Sequence, residues 1–295
     1  MRVLVTGGAG FIGSHIVDAV LALGGQPIVL DDFSSGRAGN VAEGVATVNV
    51  DVSSSGTAEA IADLRPDVVI HAAAQASVPR SMADPERDRA VNLLGTEHVL
   101  KGARDGNATR FIFLSTGGGI YGETETPATE QTLPRPKSFY SVHKYAAERY
   151  VELSGMGYAI ARLANVYGPR QQSDLEGGVV AVFAERLVNR EPITIFGSGE
   201  QRRDLVHVQD VAEAIVLMLD NHNSDVWNVG TGHTTTINAL LALMETAIAP
   251  AIDVRREDTR AGDVFGSCLS PRKIEHELGW RPRTSLLDGV RSMQS

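Results

Sequence analysis

The chain has 295 residues, of which 43% are hydrophobic and 21% charged, a balance typical of a globular protein that buries a sizeable core. Its formal net charge of -9 argues against a nucleic acid or an anionic membrane surface as a partner, because phosphate groups are bound through clustered Lys and Arg side chains. Cys268 is the single cysteine, which excludes an intramolecular disulfide and a cysteine-rich zinc site and fits a reducing, cytoplasmic setting.

The sequence carries no targeting or metal-binding pattern. Met1 leads directly into an apolar strand pattern, and no apolar run reaches the roughly 18 residues that a membrane span needs. The eight histidines lack the spacing of metal ligands. We therefore expect no signal peptide, no membrane segment and no bound metal.

The first half of the chain alternates short apolar runs with longer amphipathic stretches, which predicts βαβ units. The predicted strands are residues 3–6, 27–30, 46–50, 68–71, 110–114 and 158–163. Beyond residue 168 the pattern is less regular, with helices predicted near 178–189, 208–220 and 236–247.

These elements predict an α/β protein with a Rossmann-type, doubly wound parallel sheet and a smaller C-terminal α+β lobe. Residues 1–168 are expected to form the sheet domain and 169–295 the lobe. Parts of 200–230 could return to the sheet domain, and the segment 203–208 is the candidate for an additional strand of the main sheet.

A glycine-rich loop, Thr6-Gly7-Gly8-Ala9-Gly10-Phe11-Ile12-Gly13, follows the first strand. Its glycines permit a tight turn and a close backbone approach, so that N–H groups of the next helix can face a pyrophosphate. Asp31 ends the second strand 18 residues after Gly13, near the offset of about 20 residues expected for a carboxylate on an adenosine ribose. A carboxylate repels a 2′-phosphate, which favours NAD over NADP, although Arg37 would weaken that preference. The alternative is a packed turn with Asp31 opening a surface loop.

Two later strand ends offer weaker signals. Asp51 either bonds the adenine or is an ordinary loop carboxylate. His71 ends an apolar strand and precedes three alanines, whose small side chains would let a flat cofactor lie against the backbone. We expect His71 itself to be structural.

Tyr140 and Lys144 are spaced at i and i+4 and therefore share one face of a helix. An ammonium near a phenol favours the phenolate and lowers a pKa that is about 10 in isolation. Tyr140 could then act as a base near neutral pH. The loop Ser115-Thr116-Gly117-Gly118-Gly119-Ile120-Tyr121-Gly122 follows the fifth strand and adds hydroxyls at the carboxyl edge of the sheet, where ligands bind in open α/β folds.

With these motifs the sequence resembles the extended short-chain dehydrogenase/reductases, in particular the NAD-dependent epimerase/dehydratase branch and its UDP-glucose 4-epimerases. Further matches are Asn92 in Val91-Asn92-Leu93-Leu94-Gly95-Thr96, Asn165 in Asn165-Val166-Tyr167-Gly168-Pro169-Arg170, and Leu278-Gly279-Trp280-Arg281-Pro282. The resemblance implies an NAD-binding sheet domain, a lobe that binds a nucleotide sugar, and a homodimer formed through helices within 88–103 and 139–154.

The resemblance, with the loop positions, implies a set of cofactor-binding residues. These are Gly7, Gly10, Phe11, Ile12, Gly13, Asp31, Asp32, Ser34, Ser35, Gly36, Asp51, Val52, Ala72, Ala73, Ala74, Gln75 and Asn92, together with Tyr140 and Lys144.

The resemblance also implies a substrate site. Asn165 would contact the nucleotide-sugar diphosphate, Arg203 and Arg260 would clamp it, and Asp263 would bind the uridine ribose. A guanidinium suits phosphate oxygens because it offers paired N–H donors. Ser267 matches the position whose bulk limits the space around the C2 substituent of the sugar, so its small side chain would admit an N-acetyl group.

Gly117 departs from the family, which usually has Ser or Thr four residues before the Tyr-Gly of this loop. The sugar contact is therefore assigned to Thr116, with Ser115 as the alternative. The loop also lacks the adjacent Asp-Glu of dehydratases, so dehydration is disfavoured.

The expected reaction is 4-epimerisation of a UDP-sugar. Tyr140 would remove the 4-hydroxyl proton while the C4 hydride passes to NAD, and a 4-keto sugar would turn and receive the hydride on its other face. Lys144 and Thr116 would assist. The alternatives are epimerisation of UDP-glucuronate, another nucleotide-sugar oxidoreduction, and a non-catalytic regulator that senses NAD.

Overall fold

A parallel sheet of seven strands organises the chain in the computed structural model, which describes residues 1–173, 178–259 and 264–294. The strands in these ranges are β1 (Arg2–Thr6), β2 (Gln26–Asp31), β3 (Ala46–Asn49), β4 (Val68–His71), β5 (Arg110–Thr116), β6 (Gly157–Leu163), β7 (Asn165–Tyr167), β8 (Ile193–Phe196), β9 (Arg202–Arg203), β10 (Leu205–His207), β11 (Asp225–Val229), β12 (Thr235–Thr236), β13 (Val254–Glu257) and β14 (Gly266–Ser267). The large sheet has the order β3-β2-β1-β4-β5-β6-β11.

Helices connect these strands. In the described part of the chain they are α1 (Phe11–Ala22), α2 (Thr57–Leu64), α3 (Val78–Ala83), α4 (Pro85–Arg89), α5 (Gly95–Asp105), α6 (Gly117–Tyr121), α7 (Phe139–Leu153), α8 (Val179–Asn189), α9 (Val208–Asp220), α10 (Ile237–Ala247), α11 (Arg272–Leu278) and α12 (Leu286–Ser292). A 3₁₀ turn spans Ala38–Asn40, and a π-helical turn, Ala90–Leu94, joins α4 to α5.

Side chains alternate between the two faces along each strand, and in the central strands both faces are apolar. Helices therefore cover both faces of the sheet. Val3 and Val5 of β1 pack on one face with residues of α1 and α9, whereas Leu4 packs on the other face with residues of α2, α5 and α7. The predicted doubly wound, Rossmann-type parallel sheet is confirmed. A third apolar core joins α8, α10 and α12 with the small sheets of the second half.

The segment 203–208 does not join the main sheet, contrary to the expectation from its apolar pattern. Its first part lies in β9, which pairs with β12 and β14, and its second part is β10, which pairs with β7. Asp204 separates the two strands because its buried carboxylate accepts hydrogen bonds from the backbone N–H groups of Thr231 and Leu269. The seventh strand is instead β11, which is parallel to β6.

The proposed division at residue 168 stays a prediction, although α9 of the second half packs on the main sheet and β11 belongs to it. Among the helices that the structure describes, none has the length and apolar character needed to cross a bilayer.

Candidate active site

Two pockets adjoin at the carboxyl edge of the main sheet. The first, of about 530 Å³, lies over the glycine loop, and the second, of about 280 Å³, extends from the loop after β5 to the second half of the chain. Tyr140 and Ser115 line both pockets. A molecule in the first pocket and a molecule in the second would therefore meet beside Tyr140.

The glycine loop brings backbone close to the first pocket. Gly7 has a φ of +66°, and a Cβ on it would lie 2.7 Å from the backbone nitrogen of Ala73. A Cβ on Gly13 would lie 2.1 Å from the carbonyl oxygen of Gly7. No side chain caps the N-terminus of α1 at Gly10, so the first N–H groups of this helix suit an anionic group in the pocket.

Asp31 lies at the end of β2 with its carboxylate buried. One oxygen accepts from the N–H of Ala9 and the other from the N–H of Phe33, both at 2.9 Å. Burial raises the pKa of this carboxyl above its ordinary value, against the lowering effect of those N–H groups. Each oxygen can accept a further hydrogen bond, as recognition of a ribose diol would require.

Most of the predicted cofactor residues line the first pocket. They are Gly7, Gly10, Phe11, Ile12, Gly13, Asp31, Asp32, Ser34, Ser35, Asp51, Val52, Ala72, Ala73, Ala74, Gln75, Tyr140 and Lys144. Gly36 lies behind Asp31, where a Cβ would meet the Asp31 carboxylate at 2.6 Å. Asn92 lies behind Gln75, and its side-chain oxygen accepts a hydrogen bond from the backbone N–H of Gln75 at 3.1 Å. Arg37 donates to Gln172, a lining residue that the sequence analysis missed.

Tyr140 and Lys144 lie on α7, which Ser138 caps by accepting a hydrogen bond from the N–H of Ser141. Lys144 is almost fully buried, and its Nζ lies 4.0 Å from the centroid of the Phe113 ring. Burial lowers the pKa of Lys144 to about 7, although nearby carboxylates act in the opposite direction. The two side chains line the same pocket, and a buried amine with a lowered pKa is typical of a functional site.

His71 faces the interior at the end of β4. Its Nδ1 lies 2.7 Å from the hydroxyl of Thr6, and its Nε2 lies 3.0 Å from the hydroxyl of Thr96. Burial, with the nearby charge of Lys144, holds the pKa of His71 well below its ordinary value. A neutral imidazole bonded on both sides fits a structural role.

The two candidate hydroxyls after β5 have different surroundings. Ser115 donates to the buried carboxylate of Glu148 at 2.6 Å, which also pairs with Arg162 at 2.6 Å. Thr116 lines the second pocket, and its hydroxyl accepts from the N–H of Gly119. Glu148 was not predicted from the sequence, although its position four residues after Lys144 places it on the same helix face.

Gly117 has no room for the side chain that the family usually carries. A Cβ there would lie 2.5 Å from a methyl group of Leu269, which is almost fully buried. Leu269 thus fills the space next to Gly117, and the hydroxyl residues of this loop that line the second pocket are Ser115 and Thr116.

The second pocket also brings together Asn165, Arg203 and Ser267. Arg203 donates from Nη1 at 2.7 Å to the carbonyl of Val264, which lines the same pocket. Lys137, which the sequence analysis missed, lines the same pocket and lies 2.9 Å from the carboxylate of Glu123.

The predicted contacts Arg260 and Asp263 lie outside the described residues. Within the described ranges, no group of three or more His, Cys, Asp or Glu side chains could hold a metal ion.

A Rossmann-type sheet whose glycine loop, strand-end carboxylate and Tyr-x-x-x-Lys helix share one pocket is the arrangement of the extended short-chain dehydrogenase/reductases. The chain belongs to the NAD dependent epimerase/dehydratase family, which matches residues 3–230. The predicted family is confirmed.

Similar proteins include UDP-glucose 4-epimerases, two of which have solved structures. The chain is 36% identical to the UDP-glucose 4-epimerase of Mycolicibacterium smegmatis, over 98% of this chain and 96% of that protein. It is 40% identical to the UDP-glucose 4-epimerase of Thermotoga maritima, solved with UDP-glucose, with a TM-score of 0.96 over 99% of this chain and 97% of that one. For the Thermus thermophilus UDP-glucose 4-epimerase, solved with NAD, the identity is 43% and the TM-score 0.95, over 99% and 97%.

Proposed function

We propose that the chain is an NAD-dependent 4-epimerase of UDP-sugars, which interconverts UDP-glucose and UDP-galactose through a transient 4-keto sugar. The observation that carries this proposal is the position of Tyr140, which lines both the dinucleotide-sized pocket and the pocket beside it. Homology to UDP-glucose 4-epimerases over nearly the whole chain supports the same reaction.

The residues of the first pocket fit NAD. The close backbone approach at Gly7 and the uncapped start of α1 suit the pyrophosphate, and the Asp31 carboxylate suits the adenosine ribose diol. When bound, NAD would supply a reversible hydride acceptor for C4 of the sugar. The division of labour that follows is a sheet domain for NAD and a C-terminal lobe for the nucleotide sugar.

The chain's own residues move the proton and hold the substrate. Tyr140 takes the proton of the sugar 4-hydroxyl and returns it, the Lys144 ammonium stabilises the phenolate, and Thr116 bonds the reacting oxygen. Asn165 and Arg203 anchor the diphosphate, together with Arg260 and Asp263. Strong anchoring of the nucleotide and weak anchoring of the sugar let the 4-keto sugar turn over between the two hydride transfers.

Ser267 supports acceptance of N-acetylated sugars. Its small side chain lines the second pocket and lies near Gly118, where a Cβ would be 3.2 Å from the Ser267 hydroxyl oxygen. Ser267→Tyr should reduce turnover of UDP-N-acetylglucosamine relative to UDP-glucose by about 10-fold or more, because the added bulk overpacks the pocket. Unchanged selectivity would remove this proposal.

A second candidate is UDP-glucuronate 4-epimerisation, which Lys137 favours. Its ammonium lines the second pocket and could exchange the Glu123 carboxylate for a sugar carboxylate. Lys137→Met should then impair turnover of UDP-glucuronate more than turnover of UDP-glucose; equal effects would contradict this candidate.

The deciding experiment incubates the purified protein with a panel of UDP- and dTDP-sugars and identifies the products by NMR, with and without added NADH. An epimerase converts its substrate with no external reductant. Consumption of NADH in proportion to product would indicate a net oxidoreductase, and NAD binding without turnover of any sugar would indicate a regulator.

We also propose a homodimer in a cytoplasmic setting. Phe139, Val142, Tyr150 and Leu153 are exposed on α7, and their spacing places them along one face of that helix. Light scattering after gel filtration should give twice the chain mass, and Tyr150→Glu with Leu153→Glu should give the monomer mass. A monomeric parent protein would overturn the proposal.

A further inference from the structure

A buried carboxylate lies beneath the helix that carries Tyr140 and Lys144. Asp88 of α4 is fully buried, and its Oδ1 accepts from the side-chain amides of Gln75 at 2.7 Å and Asn92 at 2.9 Å. Its Oδ2 lies 2.6 Å from Nδ1 of His143, whose side chain is 12% exposed. The carboxylate thus has three partners on three different segments.

Backbone groups fix the orientation of both amides. The Gln75 side-chain oxygen accepts from the N–H of Ser77 at 2.8 Å, and the Asn92 side-chain oxygen accepts from the N–H of Gln75 at 3.1 Å. Their NH₂ groups must therefore point at Asp88. Because an ionised carboxylate only accepts hydrogen bonds, His143 carries its hydrogen on Nδ1.

This cluster connects the two parts of the first pocket. Residues 72–76, which we call the cofactor loop, line that pocket on one side, and Tyr140 and Lys144 line it on the other. Gln75 belongs to the cofactor loop, whereas His143 lies on α7 between Tyr140 and Lys144. Asn92 lies in the π-helical turn, a feature that is common at functional sites. Asp88 therefore ties the cofactor loop to α7.

The cluster also places charge near Lys144. The titratable groups that act on its ammonium include Glu148 on α7, Asp88 on α4 and His71 on β4. Glu148 is paired with the Arg162 guanidinium at 2.6 Å, and His71 is neutral. Asp88 accepts from two amides and lies against the His143 imidazole, and it adds a second negative charge beside Lys144 after the stronger one of Glu148.

We propose that Asp88 and His143 are positioning residues, which fix α7 against the cofactor loop and hold a negative charge beside the Tyr140 and Lys144 pair. The link to turnover rests on the proposed epimerase function. The effects on the bound cofactor and on the Tyr140 phenol do not depend on any sugar.

The test compares His143→Leu, which removes the donor, with His143→Gln, which keeps one. We expect His143→Leu to lower kcat for UDP-glucose by about 10- to 100-fold with little change in KM, because Tyr140 and Lys144 lose their alignment with the nicotinamide. NAD content should be retained, and His143→Gln should recover most of the kcat. Glu152→Gln, which removes an α7 carboxylate paired with Arg149 outside the pocket, is the matched control and should leave kcat unchanged.

Asp88→Asn tests the charge. Removal of a negative charge favours every deprotonation of the coupled pair, so both steps of its titration should move to lower pH. The steps are followed in the pH profile of kcat and, without any sugar, in the near-ultraviolet phenolate absorbance that is lost in Tyr140→Phe. His143→Gln should leave both profiles in place.

Three results would overturn the proposal: wild-type kcat in folded His143→Leu, recovery that is no better with Gln than with Leu, or an unmoved phenolate titration in Asp88→Asn. If Asp88→Asn does not fold, the two His143 variants decide the matter. If the parent protein epimerises no sugar, the proposed function fails, whereas NAD content and the phenolate titration still test the positioning role.

Discussion

The loops that follow β1, β2 and β4 supply much of the lining of the first pocket, including its glycines and a run of alanines. The second pocket is lined by residues from widely separated segments, including Thr116, Arg203 and Ser267. The first surface depends on local chain geometry, such as the positive φ of Gly7. The second depends on how the two halves pack. A pocket built from local geometry can be recognised from a motif, and one built from packing cannot.

Tyr140 belongs to both pockets, and its substitution should have the largest effect. Tyr140→Phe removes the proton acceptor while keeping the ring, so turnover should fall by about 10²- to 10⁴-fold with NAD still bound. Coupled assays for UDP-galactose formation and the absorbance of released NAD measure the two properties. A fully active variant would require another base.

Leu269 and Gly117 provide the sharpest test of the packing beneath the loop after β5, next to the second pocket. Leu269→Ala should reduce the free energy of unfolding by about 2–5 kcal/mol through loss of buried volume, and Gly117→Ala by about 1–3 kcal/mol through the clash of its Cβ. Because Leu269→Ala makes room for that Cβ, the double variant should be more stable than the sum of the two losses predicts. Urea unfolding of the parent protein, the two single variants and the double variant gives a double-mutant cycle. Strictly additive losses of free energy would show that the two positions do not interact.

Gly13 tests the local geometry of the first pocket. A Cβ there would lie 2.1 Å from the Gly7 carbonyl, so Gly13→Ala must distort the glycine loop. We expect NAD affinity to fall by about 10- to 100-fold. Gly39→Ala is the matched control, since a Cβ at Gly39 meets no atom within 4 Å. Calorimetric titration measures the affinity of each variant for NAD. Equal affinities of Gly13→Ala and Gly39→Ala would contradict the prediction.

Lys144 lines the first pocket together with Tyr140. Its buried charge should make the free energy of unfolding depend on pH. Its pKa is about 7 in the folded chain against 10.5 ordinarily, so the unfolded state binds more protons between these values. The folded chain therefore gains stability as the pH rises from about 7 toward 10, and loses that gain as the pH falls. Lys144→Met removes this dependence.

The stability advantage of Lys144→Met over the parent protein should be larger at about pH 6 than at about pH 10, by about 1 kcal/mol or more. Urea unfolding of NAD-free protein at both pH values measures the difference. An advantage that does not change with pH would contradict the assignment of the buried ammonium.

The sheet strands and the glycine loop could be predicted because each depends on a short stretch of sequence. The strand at 68–71 has the predicted bounds, and β5 extends only two residues beyond its predicted end. Segment 203–208 could not be placed, since its apolar pattern suits any parallel sheet. The Asp204 carboxylate accepts hydrogen bonds from the loops after β11 and β14, and these bonds fix the position of the segment away from the main sheet.

In the candidate site, too, some residues could be predicted from the sequence and others could not. Motif spacing predicted Tyr140 and Lys144, and the family resemblance predicted Thr116 with Ser115 as the alternative. Ser115 and Thr116 are adjacent hydroxyls with the same chemistry. Both line the second pocket, and only the fold distinguishes them. The Ser115 hydroxyl donates to the buried Glu148 carboxylate, whereas the Thr116 hydroxyl accepts from the N–H of Gly119 and keeps its own hydrogen to donate.

By itself the sequence determined the family, the order of strand and helix, and the residue types available for proton transfer, because these follow from local periodicity and from motifs at fixed spacing. Tertiary structure alone decided that Leu269 occupies the space beside Gly117 and that Asp88 collects hydrogen bonds from Gln75, Asn92 and His143. Such contacts join residues that are distant along the chain, and a side chain's partner depends on which segments the packing brings within a few ångströms.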